Sequence, residues 1–171
     1  MQLSPFLNER KAFFAKSAAL ALVLVVGVSY FNSRYLITFD RQAEPCFEWR
    51  LFIVDTQNKT PKRNDLVAFR ARGMQPALED GELAVKQAVG MPGDTVEVSE
   101  TVTRINDQPR FRSGLYLLDK LDGRSAADFT RVLQISEGNY FGMGSMESSF
   151  DSRYWGFIHA DQVVGVAVPI Y

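Results

Sequence analysis

The sequence predicts a mainly β protein, in which one N-terminal transmembrane helix precedes an antiparallel, partly barrel-like β domain. Two observations support this fold class. A single long apolar run lies near the N-terminus, and many short runs of alternating or apolar residues follow it, separated by Gly, Pro, Asn and Asp. Such a succession of short strands is typical of antiparallel β folds. The length of 171 residues suffices for one membrane segment and one domain with its own core.

The apolar run is long enough to cross a lipid bilayer. Residues 17–31, SAALALVLVVGVSYF, carry no charge, and extension back to Ala12 gives about the 20 residues that span the hydrocarbon core. Cleaved signal peptides share these features, but no small-x-small cleavage pattern follows the run. We therefore predict an uncleaved anchor over residues 12–31.

The charges that flank the anchor predict its orientation. Arg10, Lys11 and Lys16 lie before or at the start of the apolar run, and positive charge is retained on the cytoplasmic side of membranes. We expect residues 1–11 to be cytoplasmic and residues 32–171 to form a single domain on the outer side.

The outer domain is organised as strands with one interruption. Residues 112–130 show no two-residue alternation, so we predict an insertion or flap there, in which Ser125 to Asp128 opens a short helix. The predicted strands are YLITFD (35–40), WRLFIVD (49–55), NDLVAFR (64–70), ELAVKQAVG (82–90), DTVEVSE (94–100), TRIND (103–107), RVLQI (131–135), NYFGMG (139–144) and VVGVAVPIY (163–171).

Composition excludes several classes of function. One Cys and one His rule out a disulfide within the chain and metal sites built from several such ligands, so we expect no metal and no cofactor. The formal charge of -1, without a basic stretch interleaved with aromatics, argues against a nucleic acid partner. The lone His159 lies at the start of a terminal strand, and we do not place it in the site.

Lys86 is the first candidate for chemistry. It lies in the apolar strand LAVKQAVG, which precedes a tight MPGD turn. A lysine in water has a pKa of about 10.4, but removal from water disfavours the ammonium form, and a neutral amine can act as a general base. The alternative is a lysine at a strand edge whose amine simply reaches water.

A second concentration of polar residues lies in GNYFGMGSMESSFDSRYWGFI, residues 138–158. Asp151 and Arg153 are close enough to pair and brace this loop. Ser149 or Ser152 has a hydroxyl that can hydrogen-bond a neighbouring amine. The alternative interpretation of DSR is an ordinary polar turn.

The segments KQAVGMPGD, GNYFGMG and SFDSRYWG together resemble the type I signal peptidases of family S26, specifically the conjugative-transfer peptidases typified by TraF. The resemblance covers nearly the whole chain. It implies a β-rich domain on the periplasmic face of a bacterial inner membrane and a Ser/Lys dyad that cleaves precursor proteins beside their membrane segment. It also implies that Lys86 is the general base, that Ser149 supports its amine, and that Asp151 and Arg153 shape the loop.

The serine nucleophile of that family is missing here. The corresponding loop, FDRQAEPCFEWRLFIVD (39–55), contains no serine, so either Ala43-Glu44-Pro45 or Cys46-Phe47-Glu48 aligns with the family's Ser-x-Pro. We prefer Cys46, because the next strand then starts where the family's does, and because a thiol with an ordinary pKa of about 8.5 is easier to activate than a hydroxyl. The alternative for Cys46 is a small buried hydrophobic residue.

Two further positions depart from the family. The family's side-chain oxyanion donor falls on Glu44, which cannot donate when ionised, and its usual GDN reads Gly144-Ser145-Met146. The backbone N–H of Cys46 is the expected donor.

The sequence hypothesis is a membrane-bound endopeptidase of a conjugative transfer system that processes exported precursors, such as pilins with their leaders. Lys86 acts as its base and Cys46 as its nucleophile. Its expected partners are precursor proteins, inner-membrane lipid and components of conjugation or pilus assembly. The alternative hypothesis is a catalytically inactive scaffold of the same fold that binds transfer or pilus assembly proteins.

Overall fold

The computed structural model describes residues 10–40, 45–75 and 77–170. Its first element is helix α1, Lys11–Arg34, whose 24 residues contain no proline and bury no side chain. At about 1.5 Å per residue it measures roughly 36 Å, which exceeds the ~30 Å hydrocarbon core of a bilayer. Among the described residues it is the one helix long and apolar enough to cross a membrane. It covers the predicted anchor and extends one residue before it and three residues after it.

The chain divides into two compact units between Tyr35 and Leu36. In the described residues, each of the nine predicted strand segments contains a strand, and two further strands of only two residues, β7 and β10, are additional. The strands are β1 (Tyr35–Phe39), β2 (Leu51–Asp55), β3 (Leu66–Arg70), β4 (Leu83–Gly90), β5 (Thr95–Val98), β6 (Thr103–Ile105), β7 (Gln108–Pro109), β8 (Arg131–Gln134), β9 (Asn139–Met143), β10 (Ile158–His159) and β11 (Val163–Pro169).

The strands form two sheets, with orders β1-β2-β11-β3-β4-β9-β10 and β7-β6-β5-β8. The pairings on both sides of β4 and throughout the smaller sheet are antiparallel. Val89 and Phe141 of the large sheet and Val96 and Val98 of the small sheet share one apolar core. The prediction of a mainly antiparallel β domain with one N-terminal apolar helix is confirmed.

Few other helices occur in the described part of the domain. Short helix α2, Ser152–Trp155, follows β9, and residues 112–130 contain two 3-10 turns, Leu118–Lys120 and Ala126–Asp128. The Ser125 backbone N–H donates to the Asp128 carboxylate at 2.7 Å, so the predicted helix start is confirmed as a 3-10 turn. Residues 113–115 are buried whereas residues 122–125 are exposed, so this segment begins inside the domain and then crosses its surface.

Candidate active site

Lys86 lies in the middle of β4 and is completely buried. Its strand is flanked by β3, where Val67 pairs with Lys86, and by β9, where Gly142 pairs with Ala88. A Cβ on Gly142 would lie 2.9 Å from the Cβ of Lys86, so a glycine there leaves room for the lysine side chain. The interpretation of Lys86 as a strand-edge residue in contact with water is wrong.

The Lys86 amine meets two side chains that the sequence had singled out. Its Nζ hydrogen-bonds Sγ of Cys46, which lies between β1 and β2, and donates to Oγ of Ser149 at 3.1 Å. Cys46 and Ser149 are also buried. Three segments that lie far apart in the sequence therefore place an amine, a thiol and a hydroxyl in one enclosed cluster.

The two groups that bind Nζ of Lys86 are a thiol and a hydroxyl. The burial of an ammonium is costly unless an anion accompanies it. The enclosed cluster places a potential proton acceptor in direct contact with a potential sulfur nucleophile.

Asp151 and Arg153 form a completely buried ion pair next to the cluster. The Asp151 carboxylate caps helix α2 by accepting from the Arg153 backbone N–H, and it also accepts from Nε and Nη2 of Arg153, both at 2.8 Å. Burial alone would lower the pKa of Arg153, but the negative charge of Asp151 and its hydrogen bonds raise that pKa above its ordinary value. The guanidinium of Arg153 therefore stays charged at physiological pH.

This ion pair is connected to the Lys86 cluster through the backbone. Arg153 Nη2 donates to the carbonyl of Ser149 at 3.1 Å, and the Gly144 N–H donates to Asp151 at 3.0 Å. Ser152 instead accepts a hydrogen bond from the Gly142 N–H at 2.9 Å. Of the two serines left open by the sequence, Ser149 is the one that contacts the amine.

The residues 144–151, called here the 144–151 loop, also hold the backbone of Cys46. The N–H groups of Ser145 and Met146 donate to the Cys46 carbonyl at 2.9 and 3.2 Å. A Cβ on Gly144 would lie 2.6 Å from Ser149 Cβ and 2.7 Å from that carbonyl, so only glycine fits. These contacts use main-chain groups, which the departure from GDN does not alter. Glu44, the expected weak point of the oxyanion hole, lies outside the described residues.

The MPGD turn after β4 is fixed by its aspartate. Asp94 accepts from both guanidinium nitrogens of Arg63, at 2.7 and 2.9 Å, and from the N–H of Met91 and Nδ2 of Asn106. The hydrogen bonds from Arg63, followed by those from Met91 and Asn106, overcome burial and lower the pKa of Asp94 to about 2. The turn thus stabilises the end of the strand that carries Lys86.

One residue that supports helix α2 was not predicted from the sequence. Arg131 of β8 donates through Nη2 to the carbonyls of Ser152 and Arg153, at 3.3 and 3.2 Å, and so holds helix α2 from the smaller sheet. Burial lowers the pKa of Arg131. Its strand alternates like any other, so no local sequence signal marks this role.

His159, which was not placed in the predicted site, is exposed on β10.

The described domain is antiparallel β, follows an apolar helix, and buries a lysine beside a thiol and a hydroxyl. A family model described as signal peptidase, peptidase S26, matches residues 11–171. The chain therefore belongs to the S26 signal peptidase family, and that part of the predicted resemblance is confirmed.

Two relatives by sequence are signal peptidases. The chain is 24% identical over 159 residues to a probable signal peptidase I-2 of Synechocystis sp., covering 89% of this chain and 69% of the relative. It is 31% identical over 114 residues to a signal peptidase I of Bacillus caldolyticus, covering 61% and 58%. A crystal structure of a signal peptidase I from Enterococcus faecalis V583 is 28% identical, covers 64% of this chain and 97% of that chain, and has a TM-score of 0.40.

Proposed function

We propose that this protein is a membrane-anchored endopeptidase that cleaves exported precursor proteins with a Lys86/Cys46 dyad. The observation that carries the proposal is the contact of the buried Lys86 amine with both Cys46 Sγ and Ser149 Oγ. Membership of a peptidase family supports the reaction class. On the alignment preferred from the sequence, the thiol of Cys46 takes the position of the family's serine.

The reaction proceeds by acyl transfer through the thiol. Neutral Lys86 removes the proton from Cys46, and the thiolate attacks the scissile carbonyl carbon. The tetrahedral intermediate collapses as the ammonium of Lys86 gives its proton to the leaving amine, which leaves a thioester on Cys46. Lys86 then takes a proton from water, the resulting hydroxide attacks the thioester, and the proton returns to the thiolate. Ser149 keeps the amine aimed at sulfur throughout.

The surface of the domain supports a position on a membrane. Ile37 and Phe39 of β1 and Val168 and Ile170 at the end of β11 are all more than half exposed. Alternation places each pair on one face of its strand, and both strands neighbour β2. Exposed apolar side chains grouped in this way are typical of a protein or membrane contact. We propose that this exposed apolar face rests on the outer leaflet, with residues 32–171 in the periplasm and residues 1–11 in the cytoplasm.

The substrates are exported precursors with small side chains near the cut, bound as an extended strand. The resemblance of KQAVGMPGD and SFDSRYWG to TraF-like peptidases supports a conjugative transfer system as the source of these precursors, pilins among them. Components of that transfer or pilus apparatus are then the expected partners.

Replacement of the chromosomal or plasmid gene by single variants tests this function. We expect Cys46→Ala and Lys86→Met to accumulate precursors that retain their leaders, measured by mass spectrometry of protein N-termini. Cys46→Ser should restore part of the processing, because a hydroxyl at the same position can replace the thiol. Immunoblotting of membranes controls for the amount of each variant.

Full processing by both the Cys46→Ala and Lys86→Met strains would overturn the proposal. If the deletion strain nevertheless failed in transfer, that combination would instead support the inactive scaffold that binds assembly proteins.

A further inference from the structure

A cavity adjoins the 144–151 loop and takes no part in the proposed mechanism. It has a volume of about 360 Å³, within the range of roughly 300–1,000 Å³ that ligand pockets occupy. Its lining combines apolar side chains from both sheets with backbone of the 144–151 loop. We call it the Arg110 pocket; its lining includes Val89, Arg110, Phe111, Met143, Gly144 and Ser145.

The pocket adjoins the nucleophile through Ser145. This residue lines the pocket, and its N–H donates to the carbonyl of Cys46 at 2.9 Å. An extended peptide advances ~3.3 Å per residue, so a substrate side chain within about three positions of the scissile bond can reach the pocket. Cys46, Lys86 and Ser149 do not line the pocket, so the pocket is separate from the dyad itself.

The side chain of Arg110 is the feature that indicates a ligand in this pocket. Among the residues lining the pocket it is the one with a formal charge, and it is half-buried. Within the described chain its guanidinium has no hydrogen-bond or ion-pair partner, although its backbone is held by Thr103 and Ser113. The five donors of a guanidinium are arranged as a planar fork that matches a carboxylate.

The neighbouring charges do not neutralise Arg110. Arg112 follows the lining residue Phe111 and pairs with Glu147 of the 144–151 loop at 3.5 Å, so this nearby carboxylate already has a partner. The side chain of Phe111 is 86% exposed at the rim, where an apolar surface can cover the stem of a bound residue. Arg110, Arg112 and Glu147 together carry a net charge of +1, so this side of the pocket is positively charged.

We propose that the Arg110 pocket is a specificity subsite that receives an acidic side chain of the precursor, close to the cleavage site. This inference rests on the proposed endopeptidase function and names the class of precursor that it prefers. Arg110 binds the carboxylate, and Val89, Met143 and Phe111 surround the aliphatic part of the side chain. Arg110 thus acts as a specificity-determining residue.

The phosphate of an anionic lipid is the competing occupant. The observations favour the peptide, because Arg110 lines a concave pocket next to the Cys46 backbone. The exposed apolar face that includes Phe39 and Val168 instead lies on β1 and β11, whereas the pocket lies at β4 and β9.

The test uses the purified full chain in detergent. Its substrates are a library of synthetic peptides that carry alanine at two positions near the cut, where the proposed precursors have small side chains. One position at a time, within three residues on either side of the cut, carries Glu, Gln or Lys. Mass spectrometry identifies each cleavage position and measures the cleavage rate, and the Cys46→Ala protein serves as the inactive control. At one position we expect kcat/KM for Glu to exceed that for the isosteric Gln at least about fivefold. Arg110→Gln should remove this ratio, and Arg110→Glu should reverse it in favour of Lys.

Arg104→Glu is the matched control, because Arg104 is a partly exposed arginine of the same small sheet and does not line the pocket. It should keep the wild-type ratio. Cleavage without a Glu preference, or a preference unchanged in Arg110→Glu, would overturn the subsite and leave the peptidase intact. Loss of binding to phosphatidylglycerol vesicles in Arg110→Glu, without a change in peptide preference, would assign the pocket to lipid. Absence of any Cys46-dependent cut would overturn the proposed function, and the subsite with it.

Discussion

Replacement of Asp151 by asparagine is expected to destabilise the domain strongly. The Asp151 carboxylate is completely buried and accepts four hydrogen bonds, three of them from Arg153 and one from Gly144. Asparagine has a similar shape but no charge, so the buried guanidinium of Arg153 loses its counter-ion. Removing one partner of such a pair costs about 3–5 kcal/mol, out of a typical stability of about 5–15 kcal/mol.

Urea denaturation of the full chain in detergent, followed by tryptophan fluorescence, measures this loss. With an m-value of about 2 kcal/mol/M, the midpoint should fall by about 2 M. The double variant Asp151→Asn with Arg153→Met should lose less than the sum of the single losses, because no uncompensated charge remains. The exposed pair of Arg72 and Asp161 is the matched control, and Asp161→Asn should leave the urea midpoint nearly unchanged. A loss below about 1 kcal/mol for Asp151→Asn would refute the buried ion pair.

Three further predictions concern the surroundings of the site. Gly144→Ala should cost about 1–3 kcal/mol in urea denaturation and sharply reduce precursor processing, because its Cβ would collide with the carbonyl of Cys46; normal processing would contradict this. Asp94 has its pKa lowered to about 2 by Arg63, so its stabilising contribution of at most about 2 kcal/mol is present above about pH 5 and disappears as the pH falls towards 2. The stability difference between wild type and Asp94→Asn should therefore shrink across that interval, and a constant difference would count against the assignment. Tyr154→Phe should cost about 1–3 kcal/mol by leaving a buried backbone N–H of the inserted segment without its acceptor, and an unchanged urea midpoint would argue against that bond.

The sequence was sufficient to predict the longer strands and the N-terminal helix, because these elements carry local signals. Alternation and turn residues predicted the nine longer strands, whereas β7 and β10 have two residues each and cannot show a periodicity. The helix over Lys11–Arg34 followed from the uncharged apolar run of residues 17–31 within it. The pairing of β11 between β2 and β3 depends on contacts distant in the chain, which no local pattern records.

The site was predictable where residue types carry chemistry. Cys46, Lys86 and Ser149 were named from the sequence, and the structure brings their side chains together. The sequence could not reveal that Arg131 holds helix α2 through its carbonyls, since main-chain acceptors have no residue signature. For the same reason, it could not show that main-chain N–H groups of Ser145 and its neighbour hold the Cys46 carbonyl.

The reactivity of Cys46 tests the central claim most directly, because it is the one cysteine of the chain and needs no known substrate. The rate of its modification by a small methanethiosulfonate is measured from pH 5 to 9 in the full chain in detergent. Lys86→Met is compared with wild type, and Lys62→Met, which changes an exposed lysine, serves as the control. We predict that Lys86→Met lowers the rate at pH 7 at least about tenfold and moves the rise in rate to higher pH, whereas Lys62→Met changes neither. Equal rates and pH profiles for wild type and a folded Lys86→Met protein would contradict a working dyad.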